Sequence, residues 1–273
     1  MTAVTDLEKL ITETADDLSL LKSPAHRSAV EETIELLDQG KVRMAEKVDG
    51  SWQVNAWVQH AIRQYFQVAP FTTEHAGPLE YHDRIPIKHG LKDRGIRVVA
   101  GSIVRYGSYI ESGVIVALGF VNLGSYVGTG SLVDAWATVG SGAQIGRNVH
   151  LAGGVGIGGV LEPPGARPVI IEDNAFIGSR CIIVEGVIVE ENAVVAAQTC
   201  LTSSTHIIDV TGDEPVTHKG RVPANSVVVP GTRTRKFPAG EFEVNCALII
   251  GRRTPGTDVK VALTNDIRDF SFA

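Results

Sequence analysis

The chain has 273 residues, of which 44% are hydrophobic and 21% charged, with a formal net charge of -6. This is ordinary globular composition with room for one large or two modest domains. It excludes the basic field that nucleic-acid binding requires, and no apolar run approaches the roughly 20 residues that span a bilayer. The acidic opening MTAVTDLEKLITETADD lacks the basic start and apolar core of a signal peptide, so a cytoplasmic protein with no membrane partner is expected.

Residues 1 to about 68 read as helical. Leu7, Leu10 and Ile11, then Val30, Ile34, Leu36 and Leu37, then Val54, Trp57, Val58 and Ile62 recur at spacings of three and four. Ser23-Pro24 supplies a start signal and Asp38-Gln39-Gly40 a stop. Between the helices, the run from Val42 to Lys47, the turn Asp49-Gly50 and Trp52-Gln53-Val54 predict a short hairpin. Residues 69–103, with Pro70, Pro78 and Pro86, form a connector that enters the repeat region through Arg97-Val98-Val99. The helices are expected to cover the open first coil of that region, because an uncapped solenoid exposes its core.

From Val104 to about Val229 the aliphatic residues recur every six positions. One run passes through Val104, Ile110 and Val116, slips by one residue, and continues through Val121, Val127, Val133, Val139, Ile145 and Leu151. A second passes through Ile171, Ile177, Ile183, Val189, Val195, Leu201 and Ile207, and the phase returns at Val222 and Val228. A period of six fits neither a helix nor a β-sandwich strand. It is a hexapeptide repeat, in which three strand-and-turn units make one triangular coil of a parallel β-helix. Glycines between the aliphatics, such as Gly107 and Gly140, suit its tight corners.

Two insertions interrupt the repeat. Gly153–Pro168 (GGVGIGGVLEPPGARP) is expected to be irregular, because its glycines and prolines disfavour a central strand. It is no nucleotide fingerprint, since it neither follows a βαβ strand nor opens a helix. Asp209–Arg221 reads as a polar turn segment. In the tail, Glu243–Ile250 predicts a strand, and Val259–Phe270 a last strand or short helix over the far end. Cys181, Cys200 and Cys246 are odd in number and widely spaced, so buried thiols are expected rather than disulfides or a zinc site. His150 and His206 lack a nearby partner histidine, so they read as packing or solvent-facing residues, and no metal is expected.

The segment Val133–Pro163 goes beyond a generic repeat and resembles the tetrahydrodipicolinate N-succinyltransferases of bacterial lysine biosynthesis. The resemblance continues in Ile170–Arg180, Val184–Glu191, Gly220–Gly231 and the N-terminal Glu46–Trp57, and so covers essentially the whole chain. It implies a mainly β protein: a left-handed parallel β-helix at 96–231, a helical cap domain and connector at 1–95, and a C-terminal extension at 232–273. It also implies a homotrimer that uses an acyl-CoA, succinyl-CoA in most members, to acylate the amino group of L-2-amino-6-oxopimelate.

The family's two substrate-binding positions fall on Arg97 and Asp134. A guanidinium suits a carboxylate of the diacid, and a carboxylate can take the proton that the amine sheds. Gly158 and Gly159 in the glycine-rich flap, and Arg252, Arg253 or Lys236 near the C-terminus, are candidate CoA contacts. There are two departures: a glutamate of the family's S-E-V-V-E-G stretch is Ile182 here, and the residue after Asp134 is Ala135 in place of threonine. These point to an alternative in which acetyl-CoA is the donor, as in the related tabtoxin-pathway enzyme. A non-catalytic β-helix scaffold is the alternative from another class, and CoA binding discriminates against it.

Overall fold

The computed structural model describes residues 3–161 and 167–261. Three helices, α1 (Val4–Asp16), α2 (Pro24–Asp38) and α3 (Ala56–Val68), bury their apolar stripes against one another. Leu7 and Ile11, Val30 and Ile34, and Val58 and Ile62 are all fully buried there. Pro24 opens α2, where its missing N–H costs no hydrogen bond. The expected hairpin pairs Ala45–Val48 with Ser51–Val54 around Asp49 and Gly50, both in the left-handed region.

From Arg97 onward the chain winds as a left-handed parallel β-helix of two-residue strands on three faces. The first face stacks strands opening at Arg97, Ile115, Leu132, His150, Phe176 and Val194. The second stacks Ile103, Phe120, Thr138, Gly156, Ile182 and Cys200. The third stacks Tyr109, Tyr126, Gln144, Ile170, Ile188 and Arg221. In each pair the second residue is the aliphatic of the six-residue repeat, and it points inward. Val116, Val133, Leu151, Ile177 and Val195 are one such column, all completely buried. Some corner glycines serve backbone conformation, as Gly107 does at φ +77°. Others serve close approach: a Cβ on Gly140 would lie 2.3 Å from the Gly159 nitrogen of the next coil.

The structure departs from the sequence reading in several places. Gly156–Ile157, inside the expected first insertion, is a central strand of the second face, flanked by Thr138–Val139 and Ile182–Ile183. Gly156 is tolerated because the Ile182 side chain fills the space a Cβ would take, 2.9 Å away, while Ile157 keeps the inward phase. The irregular stretch is therefore shorter than expected, and 162–166 of it lie outside the described residues. Asp209–Arg221 is not merely a turn, since His206–Asp209 and Val216–Lys219 pair as an antiparallel hairpin. The connector likewise holds a hairpin, Thr72–Ala76 with Leu79–Asp83, turning at Gly77-Pro78.

The helices do not sit over the first coil. They lie along its flank, sharing their core with Leu123 and Val160, while Leu91 and Ile96 of the connector pack at the start of the coil's core. At the other end, Ser226–Phe237 and Gly240–Arg252 form a long antiparallel ribbon whose Ala247 and Ile249 join the coil core. The predicted strand Glu243–Ile250 lies within it. Of Val259–Phe270, the first residues belong to α4 (Pro255–Val261), and 262–270 lie outside the described residues.

Candidate active site

The edge between the first and second faces holds Asp134. Asp134 follows the inward Val133 and so points outward where the chain leaves the first face. Its backbone N–H donates to Leu151 O of the next coil at 3.0 Å, and its carbonyl accepts from Ala137 at 2.9 Å. The Ala135 N–H donates to Asp134 Oδ1 at 2.7 Å, which fixes one carboxylate oxygen. The other, Oδ2, lies 3.7 Å from His150 Nε2, and the Asp134 side chain remains 38% exposed. Ala135, in the position of the family's threonine, contributes only this backbone donor.

His150 is reached through the coil's register. It pairs with Leu132, one coil below, which places its ring beside the carboxylate two residues further on. The ring is 16% exposed and meets Phe176 edge-on, with centroids 5.1 Å apart. This neighbour of Asp134 is absent from the sequence reading, which took His150 as packing or solvent-facing. The signal that finds it is the coil length, because residues about 18 apart share a column.

Arg97 opens the lowest strand of the first face and is exposed, with its N–H bonded to Val114 O at 3.1 Å. It pairs with Ile115, which pairs with Leu132, so Arg97 and Asp134 project from the same side of the coil. They are two coils apart, about 10 Å along the axis at 4.8 Å per coil. The two do not touch, and the gap is of the size of a short diacid. Ile182 stands outward on the second face, 42% exposed, above Gly156 and two coils above Thr138.

The other candidates lie elsewhere. Gly158 and Gly159 are at the corner leaving the second face, where close packing requires glycine: a Cβ on Gly159 would come within 2.5 Å of Ser141 Oγ. Gly159 also borders a cavity of about 860 Å³ shared with His60, Arg63 and Arg105. Arg252 donates to Asp209 Oδ2 at 2.9 Å and to Ser226 Oγ at 2.8 Å, with half of its side chain still exposed. Arg253 is held by Asp258 and by the carbonyls of Asn174 and Asn192, and is only 19% exposed. Lys236 lies on the ribbon. Cys181 and Cys246 are buried and Cys200 half-buried, all unpaired, and burial pushes the Cys181 thiol above its usual range. Among the described residues no three His, Cys, Asp or Glu side chains gather as a metal would need, and no helix is long and apolar enough to cross a membrane.

Two family models match the chain. Residues 6–68 match the tetrahydrodipicolinate N-succinyltransferase N-terminal model, and 168–203 the hexapeptide repeat of succinyl-transferase. A 2,3,4,5-tetrahydropyridine-2,6-dicarboxylate N-succinyltransferase of Ehrlichia ruminantium is 51% identical over 253 residues, covering 88% of this chain and 87% of its own. The chain belongs to the tetrahydrodipicolinate N-succinyltransferase family. Enzymes of the same name from Aromatoleum aromaticum and Shewanella sediminis are each 45% identical, the first covering 96% of this chain and 98% of its own length, the second 90% of each. Membership is a statement about the whole chain, helices included. The N-terminal model spans α1 to α3, which carry none of the outward residues at the Asp134 edge.

Proposed function

We propose that the chain transfers the succinyl group of succinyl-CoA to the amino group of tetrahydrodipicolinate, taken in its opened form L-2-amino-6-oxopimelate, in lysine and diaminopimelate biosynthesis. The observation that carries this reading is the outward edge on which Asp134 and Arg97 stand two coils apart. Arg97 grips a carboxylate of the diacid and orients its amine toward Asp134. The amine nitrogen attacks the thioester carbonyl, its proton passes to Asp134 Oδ2, and the C–S bond breaks as the thiolate leaves and takes up a proton. Ala135 holds the first carboxylate oxygen, so the second remains available for that proton. His150 Nε2 faces the same oxygen at 3.7 Å.

Gly158, Gly159 and the exposed half of Arg252 are the proposed contacts of the CoA, in a cytoplasmic homotrimer. The ribbon at 226–252, with Phe242 52% exposed, supports assembly. A second reading, in which acetyl-CoA is the donor, is favoured by one observation: Ile182 presents an exposed apolar surface where the family has a carboxylate.

The test is thiol release from succinyl-CoA and from acetyl-CoA, each with freshly generated tetrahydrodipicolinate, followed by mass spectrometry of the product. Succinyl-CoA is expected to be preferred. Preference for acetyl-CoA selects the second reading, and silence with both removes the enzymatic one. Asp134→Asn is expected to lower kcat by about 10²–10⁴-fold with unchanged melting temperature; near-normal turnover would end the assignment of Asp134 as base.

A further inference from the structure

The corner that holds Asp134 repeats in every coil, and each repeat has one residue in the left-handed region. These are Gly101, Leu118, Trp136, Gly154, Arg180 and Gln198, with φ between +60° and +89°. They are tied in sequence up the edge: Trp136 N–H donates to Leu118 O at 3.0 Å, Gly154 to Ala135 O at 2.8 Å, and Arg180 to Gly153 O at 3.0 Å. The left-handed conformation is thus a property of the corner and marks no residue as special. What distinguishes the positions is the side chain, which both Gly101 and Gly154 lack. Gly154 lies between Trp136 below, 74% exposed, and Arg180 above.

Arg180 lies across that bare position. A Cβ on Gly154 would be 3.3 Å from Arg180 Cγ, 3.8 Å from Nη1 and 3.9 Å from Cζ. Both ends of the arginine side chain therefore run over Gly154, so the guanidinium folds down the edge over Gly154, whose N–H is bonded to Ala135 O, the residue next to Asp134. It makes no hydrogen bond or ion pair among the described residues, so its donors are unspent. A side chain laid flat over a glycine, with its charge at the edge of a proposed active site, is a carboxylate receptor in both geometry and charge.

We propose that Arg180 binds a carboxylate of a substrate, on the side of Asp134 opposite Arg97. The proposal rests on the acyl-transfer reading given above. Arg97, two coils below Asp134, serves the acceptor diacid. The thioester must approach the amine from elsewhere, and the free carboxyl carbon of a succinyl group lies three C–C bonds of about 1.5 Å from the reacting carbon. That reach is about one coil spacing, and the Arg180 guanidinium lies over Gly154, in the coil next above the one that holds Asp134. An acetyl group carries no carboxylate, so the contact separates the two donors. The acceptor's own α-carboxylate offers the same chemistry, and the kinetics tell the two sources apart.

The experiment compares wild type, Arg180→Met and Arg180→Lys as full chains, with succinyl-CoA and acetyl-CoA and with each substrate varied. Arg180→Met is expected to raise KM for succinyl-CoA by about 10–100-fold, with acetyl-CoA turnover unchanged and Arg180→Lys recovering part of the loss. A rise in KM for the amino diacid with both donors also supports the carboxylate contact and assigns it to the acceptor. Unchanged constants for both substrates in an active enzyme overturn the proposal. If wild type turns over neither donor, the acyl-transfer reading fails first. Calorimetry of succinyl-CoA against free CoA then reads the contact without turnover, and the same Kd ratio in wild type and Arg180→Met overturns the proposal independently.

Discussion

Inside the coil, Val116, Val133, Leu151, Ile177 and Val195 stack as equals, each completely buried and each contributing through the same dispersion and burial terms. Where the helices meet the coil's flank, a few buried charges hold the contact. Asp38, at the end of α2, receives Lys88, Arg94 at 3.1 Å and the Gly107 N–H at 2.8 Å, and Lys88 also donates to Ser108 O at 2.7 Å. Further up, Glu172 Oε1 accepts from Lys47 at 2.9 Å and from Trp52 at 2.7 Å, both on the hairpin between α2 and α3. Arg43 bonds Gln144 at 3.0 Å and lies 3.4 Å over the Tyr126 ring. Stability inside the coil is spread over many interchangeable methyl groups, whereas docking of the helices is concentrated in a few pairs that have no substitutes.

The largest effect is expected from Asp38→Ala. Lys88, 1% exposed, would keep a buried charge without its carboxylate, in a site where burial already pulls its amine below the usual lysine range. A loss of about 3–5 kcal/mol follows for the docking contact. In chemical denaturation, the helical circular dichroism should disappear at lower denaturant than the β signal. A single coincident transition would break the distinction between the two regions.

Leu151→Ala should cost about 2–5 kcal/mol, since the stacked neighbours cannot collapse onto the missing methyls. Here helical and β signals are expected to move together, because coil failure removes the surface on which the helices rest. A smaller and pH-dependent effect belongs to Glu172. Burial raises the pKa of this carboxyl, but Lys47 and Trp52 outweigh that and hold it below its ordinary 4.5. A depressed pKa makes its contribution complete above that value and lost as pH falls through the folded-state value. Glu172→Gln should therefore cost about 1–2 kcal/mol at neutral pH, and the gap to wild type should close in acid, as measured by denaturation midpoints across pH. A pH-independent gap would show that shape rather than charge makes this contact.

The six-residue phase of the aliphatic residues is sufficient to define a triangular parallel coil, because three inward residues at that spacing make one turn, while its left hand came from the family resemblance. It also places Arg97 and Asp134 outside, each standing one residue off an inward position. The strand at Gly156–Ile157 escapes the same reasoning. Glycine propensity argues against a strand there, and only the Ile182 side chain packed over Gly156 reverses that local preference. The hairpin at 206–219 is hidden for a related reason, since its first strand pairs through Ile207–Asp209 with Ala247–Ile249 of the C-terminal ribbon, far away in sequence, and the second strand pairs onto the first.

The sequence by itself determined the coil, its phase, the family and the two outward residues Arg97 and Asp134, because repeat periodicity and family motifs are local in the chain. Only the tertiary structure decided which residues meet across coils. His150 reaches Asp134, Arg180 lies over Gly154, and the helices rest on the flank instead of the end, since each of these depends on register between segments 16 or more residues apart. Stacking converts those separations into one coil spacing of about 4.8 Å, and no local pattern in the chain carries that distance.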